Sequence, residues 1–217
     1  MIEIHNILEV ENYIDYLDAV IFDLDDTLYS EKQYVKSGYR KIAEYFGIFE
    51  MENEMWEKFQ KCGKVIDEVL DVHGLLDQKD EAIHIYRFQE PEINVYHGVN
   101  EMINHIKKNK KIGIITDGRP EGQRAKIKAL GLEVDYIVIT DELGGIEFRK
   151  PNPRSFELMI KKLEVSPERT CYIGDNLKKD FVAPQMLGMR CIWFNNPDGL
   201  YLGNGVWNWS TDGSGIL

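Results

Sequence analysis

The sequence predicts an α/β fold: a doubly wound, mostly parallel sheet with an all-helical segment inserted after its first strand. Three observations predict it. Short apolar runs rich in β-branched residues recur along the chain and read as strands buried on both faces. Helical periodicities fall between the later runs, which implies right-handed crossovers and helices on both sides of the sheet. The interval from about Tyr29 to Tyr96 shows helical stripes and no strand pattern.

Taken in order, the chain opens with a short amphipathic segment around Ile7–Leu17. The first strand is expected at Ala19–Leu24 (AVIFDL). A stripe of Val35, Tyr39, Ile42, Ala43 and Phe46 marks a helix in the long interval that follows. That interval is too long for a simple crossover, so residues 29–96 read as an inserted cap, with 1–28 and 97–217 forming the core. Val99, Met102, Ile103 and Ile106 recur at helical spacing ahead of a second strand, Lys111–Thr116 (KIGIIT). Pro120 suits a first helical position and Gly131 a C-cap, bracketing a helix that carries Ile127 and Leu130. Tyr136–Thr140 (YIVIT) is the third strand, and Phe156, Met159, Ile160 and Leu163 mark the next helix. Thr170–Gly174 (TCYIG) and Arg190–Phe194 (RCIWF) complete the sheet. The residues from Asp198 onward, rich in Gly, Asn and Trp, suggest no element.

Composition narrows the function. The 217 residues carry 26 Lys+Arg against 37 Asp+Glu, a net charge of −11 that repels phosphate backbones and anionic lipid. Nucleic-acid and membrane-surface partners are therefore not expected. No apolar run approaches the roughly 20 residues that span a bilayer. The acidic start lacks the layout of a signal peptide. Cys62, Cys171 and Cys191, odd in number and without paired spacing, fit free thiols in the cytoplasm. Nothing in the sequence fixes an oligomeric state.

Ligands of an open parallel sheet bind beyond the carboxyl ends of its strands. Here those ends carry Asp23-Leu24-Asp25-Asp26-Thr27, Thr116-Asp117-Gly118, a loop with Arg149-Lys150-Pro151, and Gly174-Asp175-Asn176 followed by Asp180. Asp23, Asp25, Asp175 and Asp180 are expected within a few ångströms of one another, and carboxylates that close require either protons or a cation. Oxygen ligands in this number suit Mg²⁺, and the scattered His5, His73, His84, His97 and His105 offer no zinc alternative. Lys150, the hydroxyls of Thr27 and Thr116, and backbone N–H groups around Asp117 and Gly118 are candidates to hold phosphate oxygens. Thr also caps helices, so Thr27 and Thr116 have an ordinary explanation as well.

These residues, in this order, resemble the motifs of the haloacid dehalogenase-like (HAD) superfamily. D-x-D-x-T stands at Asp23–Thr27, the strand-end Ser/Thr at Thr116, the lysine at Lys150 and the final acidic pair at Asp175 and Asp180. The resemblance runs from Ala19 to about Phe194, and residues 29–96 look like a C1-type cap. It implies a Mg²⁺-dependent phosphomonoester hydrolase acting on a small phosphorylated metabolite, a sugar phosphate or nucleoside monophosphate. By the same resemblance Asp23 is the nucleophile that forms an aspartyl-phosphate, and Asp25 the general acid and then base. Asp25 would offer Mg²⁺ its backbone carbonyl. Asp175 would complete the metal site, and Asp180 would orient water or Lys150. The dehalogenase branch lacks the acid at the position of Asp25, so its presence favours phosphoryl chemistry. A phosphomutase or other phosphoryl-transfer enzyme of the superfamily is an alternative. So is a non-enzymatic phosphoacceptor switch, although there the acceptor and acidic pair lie on different strands and no cap covers the site. Tyr29, Tyr34, Lys32, Lys36, Arg40 and Arg87 are polar candidates in the insertion, though a solvated helix face would explain most of them.

Overall fold

A computed structural model describes residues 1–61 and 64–200; Cys62 and the Gly/Trp-rich segment after Leu200 lie outside the described residues. Six parallel strands form one sheet: β1 Ile2–Ile4, β2 Ala19–Phe22, β3 Lys111–Thr116, β4 Tyr136–Ile139, β5 Thr170–Gly174 and β6 Arg190–Phe194. Their spatial order is β1-β6-β5-β2-β3-β4, so β2 is central, flanked by β3 and β5. The in-register pairs Phe22↔Ile114 and Phe22↔Ile173 bring three strand ends level at one edge.

Side chains alternate across the sheet. Val20 and Phe22 face one apolar cluster with Ile112, Ile114 and Ile173. Ala19 and Ile21 face the other, with Ile115, Phe156, Met159 and Tyr172. Burial on both faces is what makes these runs continuously apolar. Gly113 is a packing requirement, because a Cβ there would stand 2.5 Å from Met159 Sδ.

Helices α1 Glu31–Phe46, α2 Glu50–Gln60, α3 Val65–Val72 and α4 Lys79–Arg87 lie between β2 and β3. They pack through buried Tyr39, Phe59 and Tyr86, with Tyr39–Phe59 and Tyr34–Tyr86 ring centroids 6.2 and 5.8 Å apart. Gly38 permits this closeness, since a Cβ would meet the Tyr86 ring at 2.4 Å. The remaining helices are α5 Val99–Ile106, α6 Pro120–Leu130, α7 Arg154–Leu163 and α8 Val182–Met186. Helix α6 starts at Pro120 and closes at Gly131, which adopts φ 63°.

Two features differ from the sequence expectation. The N-terminal segment contributes an edge strand, β1, beside β6, and only then a 3₁₀ helix over Ile7–Tyr13 closed by an Asn6–Glu9 capping box. A three-residue strand is too short for alternation to announce it. The first and third strands also end earlier than expected, at Phe22 and Ile139, where the chain turns into polar loops.

Candidate active site

The backbone N–H of Asp23 still pairs with the Ile173 carbonyl at 2.8 Å, so its side chain is fixed by the sheet. The turn that follows has Asp26 at φ 53°, a left-handed conformation that aspartate tolerates better than most residues. The Asp26 carboxylate secures it by accepting from the backbone N–H of Glu31 at 2.8 Å and of Leu200 at 2.7 Å.

Lys150 is the hub of the site and its side chain is fully buried. Its Nζ lies 2.7 Å from Asp23 Oδ1 and 2.8 Å from Asp180 Oδ1, and donates to the Tyr172 hydroxyl at 3.0 Å. Burial disfavours its charge, but Asp180, Asp23 and Asp117 outweigh burial and hold its pKa well above the ordinary lysine value. Asp180 is oriented by the backbone N–H of Asn176, donated to Oδ2 at 2.9 Å. Gly174 makes room for it: a Cβ there would lie 2.5 Å from Asp180 Oδ2.

Asp23, Asp175 and Asp180 each present a carboxylate oxygen within 4.8 Å of the others. Burial, and next Lys150 against Asp180, leave the Asp23 carboxyl raised to about 7. Asp175 is pushed well above the carboxylate range by burial and then by Asp180, Asp26 and Asp23. Such crowding in a buried site fits a hard divalent cation, which would restore the ionised forms.

Asp25 departs from the sequence expectation. Its carboxylate does not join the other three but turns toward α6 and the start of the insertion. Lys126 Nζ lies 2.7 Å from Oδ1, Gln123 Nε2 donates to Oδ2 at 3.0 Å, and the Tyr29 hydroxyl donates to Oδ1. Burial acts most strongly on Asp25 and upward, but the Lys126 charge and these hydrogen bonds outweigh it, leaving its pKa lowered. A side chain so committed is not positioned as a metal ligand, so an Asp25 contribution to the metal has to come from the backbone.

The hydroxyl oxygens of Thr27 and Thr116 are buried and have no hydrogen-bond partner. Buried orphans are uncommon and costly, and at the ends of β2 and β3 they are free to bind a ligand. Asp117 is otherwise engaged. Its Oδ1 accepts from Thr140 Oγ1 and from the Lys150 backbone N–H, both at 3.0 Å, while Oδ2 accepts from Lys179 Nζ at 3.0 Å. Lys150, Lys179 and these hydrogen bonds overcome burial and bring its pKa down to about 2. Asp117 thus braces the lysine loop, and Gly118 beside it holds φ 133°, where a side chain would be strained.

Sequence reasoning missed Gln123, Lys126, Tyr172 and Lys179. Of the insertion candidates, Tyr29 reaches Asp25, and Tyr34 lies under Lys126 Nζ at 4.3 Å from its ring centroid. Lys32 pairs with Asp198, Lys36 lies over the Trp56 ring, and Arg40 pairs with Glu52 and Glu92. Glu31, at the start of α1, carries a carboxyl raised to about 8 by burial first and by Asp25 next.

A parallel sheet that gathers aspartates, a lysine and free hydroxyls at one edge defines a hydrolase of the HAD type. The haloacid dehalogenase-like hydrolase family model matches residues 17–188, and the chain belongs to that family. It is 27% identical over 194 residues to a glyceraldehyde 3-phosphate phosphatase of Methanocaldococcus jannaschii, covering 81% of this chain and 84% of that one. It is 26% identical to pyrimidine 5'-nucleotidase YjjG of Escherichia coli, over 82% of this chain and 86% of the relative. Among solved structures it resembles a HAD-superfamily hydrolase of Geobacter sulfurreducens with a TM-score of 0.63 at 15% identity, covering 84% and 89% of the two chains. The magnesium-bound HAD-hydrolase YfnB of Bacillus subtilis gives 0.61 at 18% identity, over 83% and 88%. With phosphatase relatives matched over most of its length, the chain is an enzyme of the phosphatase type. No helix among the described residues is long and apolar enough to cross a membrane.

Proposed function

We propose that this chain is a Mg²⁺-dependent phosphomonoester hydrolase that works through an aspartyl-phosphate on Asp23. The observation that carries the reading is the divergence of Asp23 and Asp25. Two residues apart, one carboxylate faces Lys150 and the acidic cluster while the other faces Lys126, Gln123 and Tyr29. Carboxylates in separate environments can take separate roles, here nucleophile and proton carrier.

Asp23, Asp175 and the backbone carbonyl of Asp25 would hold the cation, with Asp180 nearby. When bound, Mg²⁺ supplies positive charge that favours ionised Asp23 and offsets charge on the phosphoryl group. Asp23 attacks phosphorus through a carboxylate oxygen, forming the P–O bond to the enzyme as the ester P–O bond breaks. Lys150, anchored by Asp180 and Tyr172, holds Asp23 in place and neutralises the transferring group. Thr27 and Thr116 donate their unclaimed hydroxyl protons to phosphoryl oxygens. Asp25 faces the leaving oxygen. A dianionic phosphoryl group beside it raises its affinity for a proton, the direction that protonating the alkoxide requires. Asp25 then takes a proton from the water that hydrolyses the aspartyl-phosphate.

Residues 29–96 act as the cap that closes over this site, and 1–28 with 97–217 as the catalytic core. The substrate is a small phosphorylated metabolite, as the named relatives suggest; a sugar phosphate or nucleoside monophosphate is the leading choice. The cytoplasm, where such metabolites are held, is the proposed compartment. Hydrolysis of p-nitrophenyl phosphate with MgCl₂, its loss on EDTA addition and its absence in Asp23→Asn protein test the reading. Activity that survives that substitution removes the nucleophile, and acetyl phosphate labelling without turnover would indicate a phosphoacceptor switch.

A further inference from the structure

The acid Asp25 fixes where the alcohol part of a substrate must lie, and an unusual pair of cations stands there. Three residues follow one another on a single face of α6 and its N-cap: Arg119, Gln123 and Lys126, at i, i+4 and i+7. The Gln123 N–H donates to the Arg119 carbonyl at 3.1 Å, which makes Arg119 the N-cap from which this helix runs. Gln123 and Lys126 both bind the Asp25 carboxylate, and Arg119 continues the row outward. From the opposite side, Tyr34 of α1 lies against Lys126, its ring packs on Tyr86 of α4, and Arg87 is the next residue and the last of that helix.

Arg87 is half-buried and its Nε is fully buried with no hydrogen-bond partner. In a chain with 37 acids against 26 basic residues, such a guanidinium is conspicuous. Arg40, Arg124, Arg149 and Arg169 each pair with a carboxylate, and Arg190 donates to the Tyr13 carbonyl. Among the described residues neither Arg87 nor Arg119 has a carboxylate within ion-pair distance; of the other arginines Arg154, which is exposed, and Arg190, which the Tyr13 carbonyl satisfies, share this. Burial, and then the neighbouring charge of Arg87 and Arg149, hold Arg119 below its ordinary pKa, so the two guanidiniums feel one another. Two neighbouring guanidiniums, neither ion-paired although Asp141 also acts on Arg119, are a recognition element for an oxyanion, which guanidinium groups bind bidentately.

We propose that Arg87 and Arg119 form a subsite for a second anionic group on the substrate, a carboxylate or phosphate borne by its alcohol part. The inference rests on the hydrolase reading, because Asp25 as the acid places the leaving group against α6. It narrows the substrate to a dianion-plus-anion: a phosphorylated hydroxy acid or a bisphosphate.

Matched pairs of substrates test it. Turnover of 3-phosphoglycerate is compared with that of glycerol 3-phosphate, which lacks the carboxylate, and fructose 1,6-bisphosphate with fructose 6-phosphate. The expected result is a kcat/KM at least about tenfold higher for the anionic member of one pair. The pair that responds identifies carboxylate or phosphate as the anion. Arg87→Gln and the more exposed Arg119→Gln should each lower kcat/KM for that member by a factor several times larger than for its neutral partner, chiefly through KM. Arg87→Lys should recover part of the discrimination. Equal rates within both pairs, or variants that lose both members in proportion while keeping the wild-type melting profile, overturn the subsite. Calorimetric titration of Asp23→Asn protein with the same compounds reads the preference without turnover. A preference for the anionic members there, with no hydrolysis of any compound or of p-nitrophenyl phosphate by wild type, would sink the hydrolase reading and leave the subsite standing. Equal binding in that titration removes the subsite itself.

Discussion

Lys126 and Asp25 form a nearly buried ion pair, 2.7 Å from Nζ to Oδ1, with the Tyr34 ring over the ammonium. It joins a helix of the core to the strand-end turn and to the first helix of the insertion. Removing one member strands the other charge. Lys126→Met should therefore destabilise the protein by about 3–5 kcal/mol in urea denaturation. If Lys126 positions the acid, the same variant should slow alkyl phosphates more than p-nitrophenyl phosphate, whose leaving group needs no proton. Equal slowing of both would mean a purely structural part.

Thr116 offers the opposite signature. Its hydroxyl is buried without a partner, so the folded protein gains nothing from it. Thr116→Val should leave the melting temperature unchanged or raised, since an unmet polar group is replaced by an isosteric apolar one. Phosphatase kcat/KM should fall roughly a hundredfold or more with the loss of one donor to the phosphoryl group. A parallel loss of stability and activity would show that the hydroxyl has a structural partner.

Asp117 gives a pH test with a defined sign. Its folded-state pKa is lowered from 3.8 to about 2. A lowered carboxylate pKa contributes stability that is fully present above the unfolded value and is lost as pH falls through the folded one. The contribution is about 2 kcal/mol, lost between roughly pH 4 and pH 2. Asp117→Asn should be less stable than wild type at pH 6, and the gap should close across that window. A constant gap would assign the loss to hydrogen bonds alone.

Divalent cation should couple to stability through the acidic cluster. Saturating MgCl₂, at about a hundred times Kd, should stabilise wild type by about 2.7 kcal/mol. EDTA should reverse the shift, and Asp175→Asn should abolish it. An identical Mg²⁺ response in that variant would move the metal elsewhere.

The residues that carry the motifs were readable because they stand at strand ends or in the loops that follow them. Lys111–Thr116, Thr170–Gly174 and Arg190–Phe194 form strands over the expected residues, and Asp23 beyond β2 converges with Asp175 and Asp180 beyond β5. Where the side chains turn was not readable. Asp25 leaves the cluster because α6 offers it Lys126 and Gln123, and pairing across such a separation in sequence leaves no local pattern. The available signal was the spacing of Arg119, Gln123 and Lys126, three long polar donors on one face of a helix otherwise read by its apolar residues. Tyr172 was hidden differently: in TCYIG it reads as core, which its ring is, while its hydroxyl serves Lys150. Lys179 stands beside Lys178 with nothing in the sequence to single it out, and only the fold shows that it reaches Asp117.

The central strand has a consequence for how the molecule comes into being. Ala19 finds one neighbour in Lys111 and the other in Thr170, and the turn after Asp23 is tied down by Asn196 and Leu200. During synthesis, therefore, this strand waits for partners that emerge from the ribosome well after it. The nascent chain cannot complete its catalytic edge until Leu200 has left the ribosome, so reactivity cannot precede that residue.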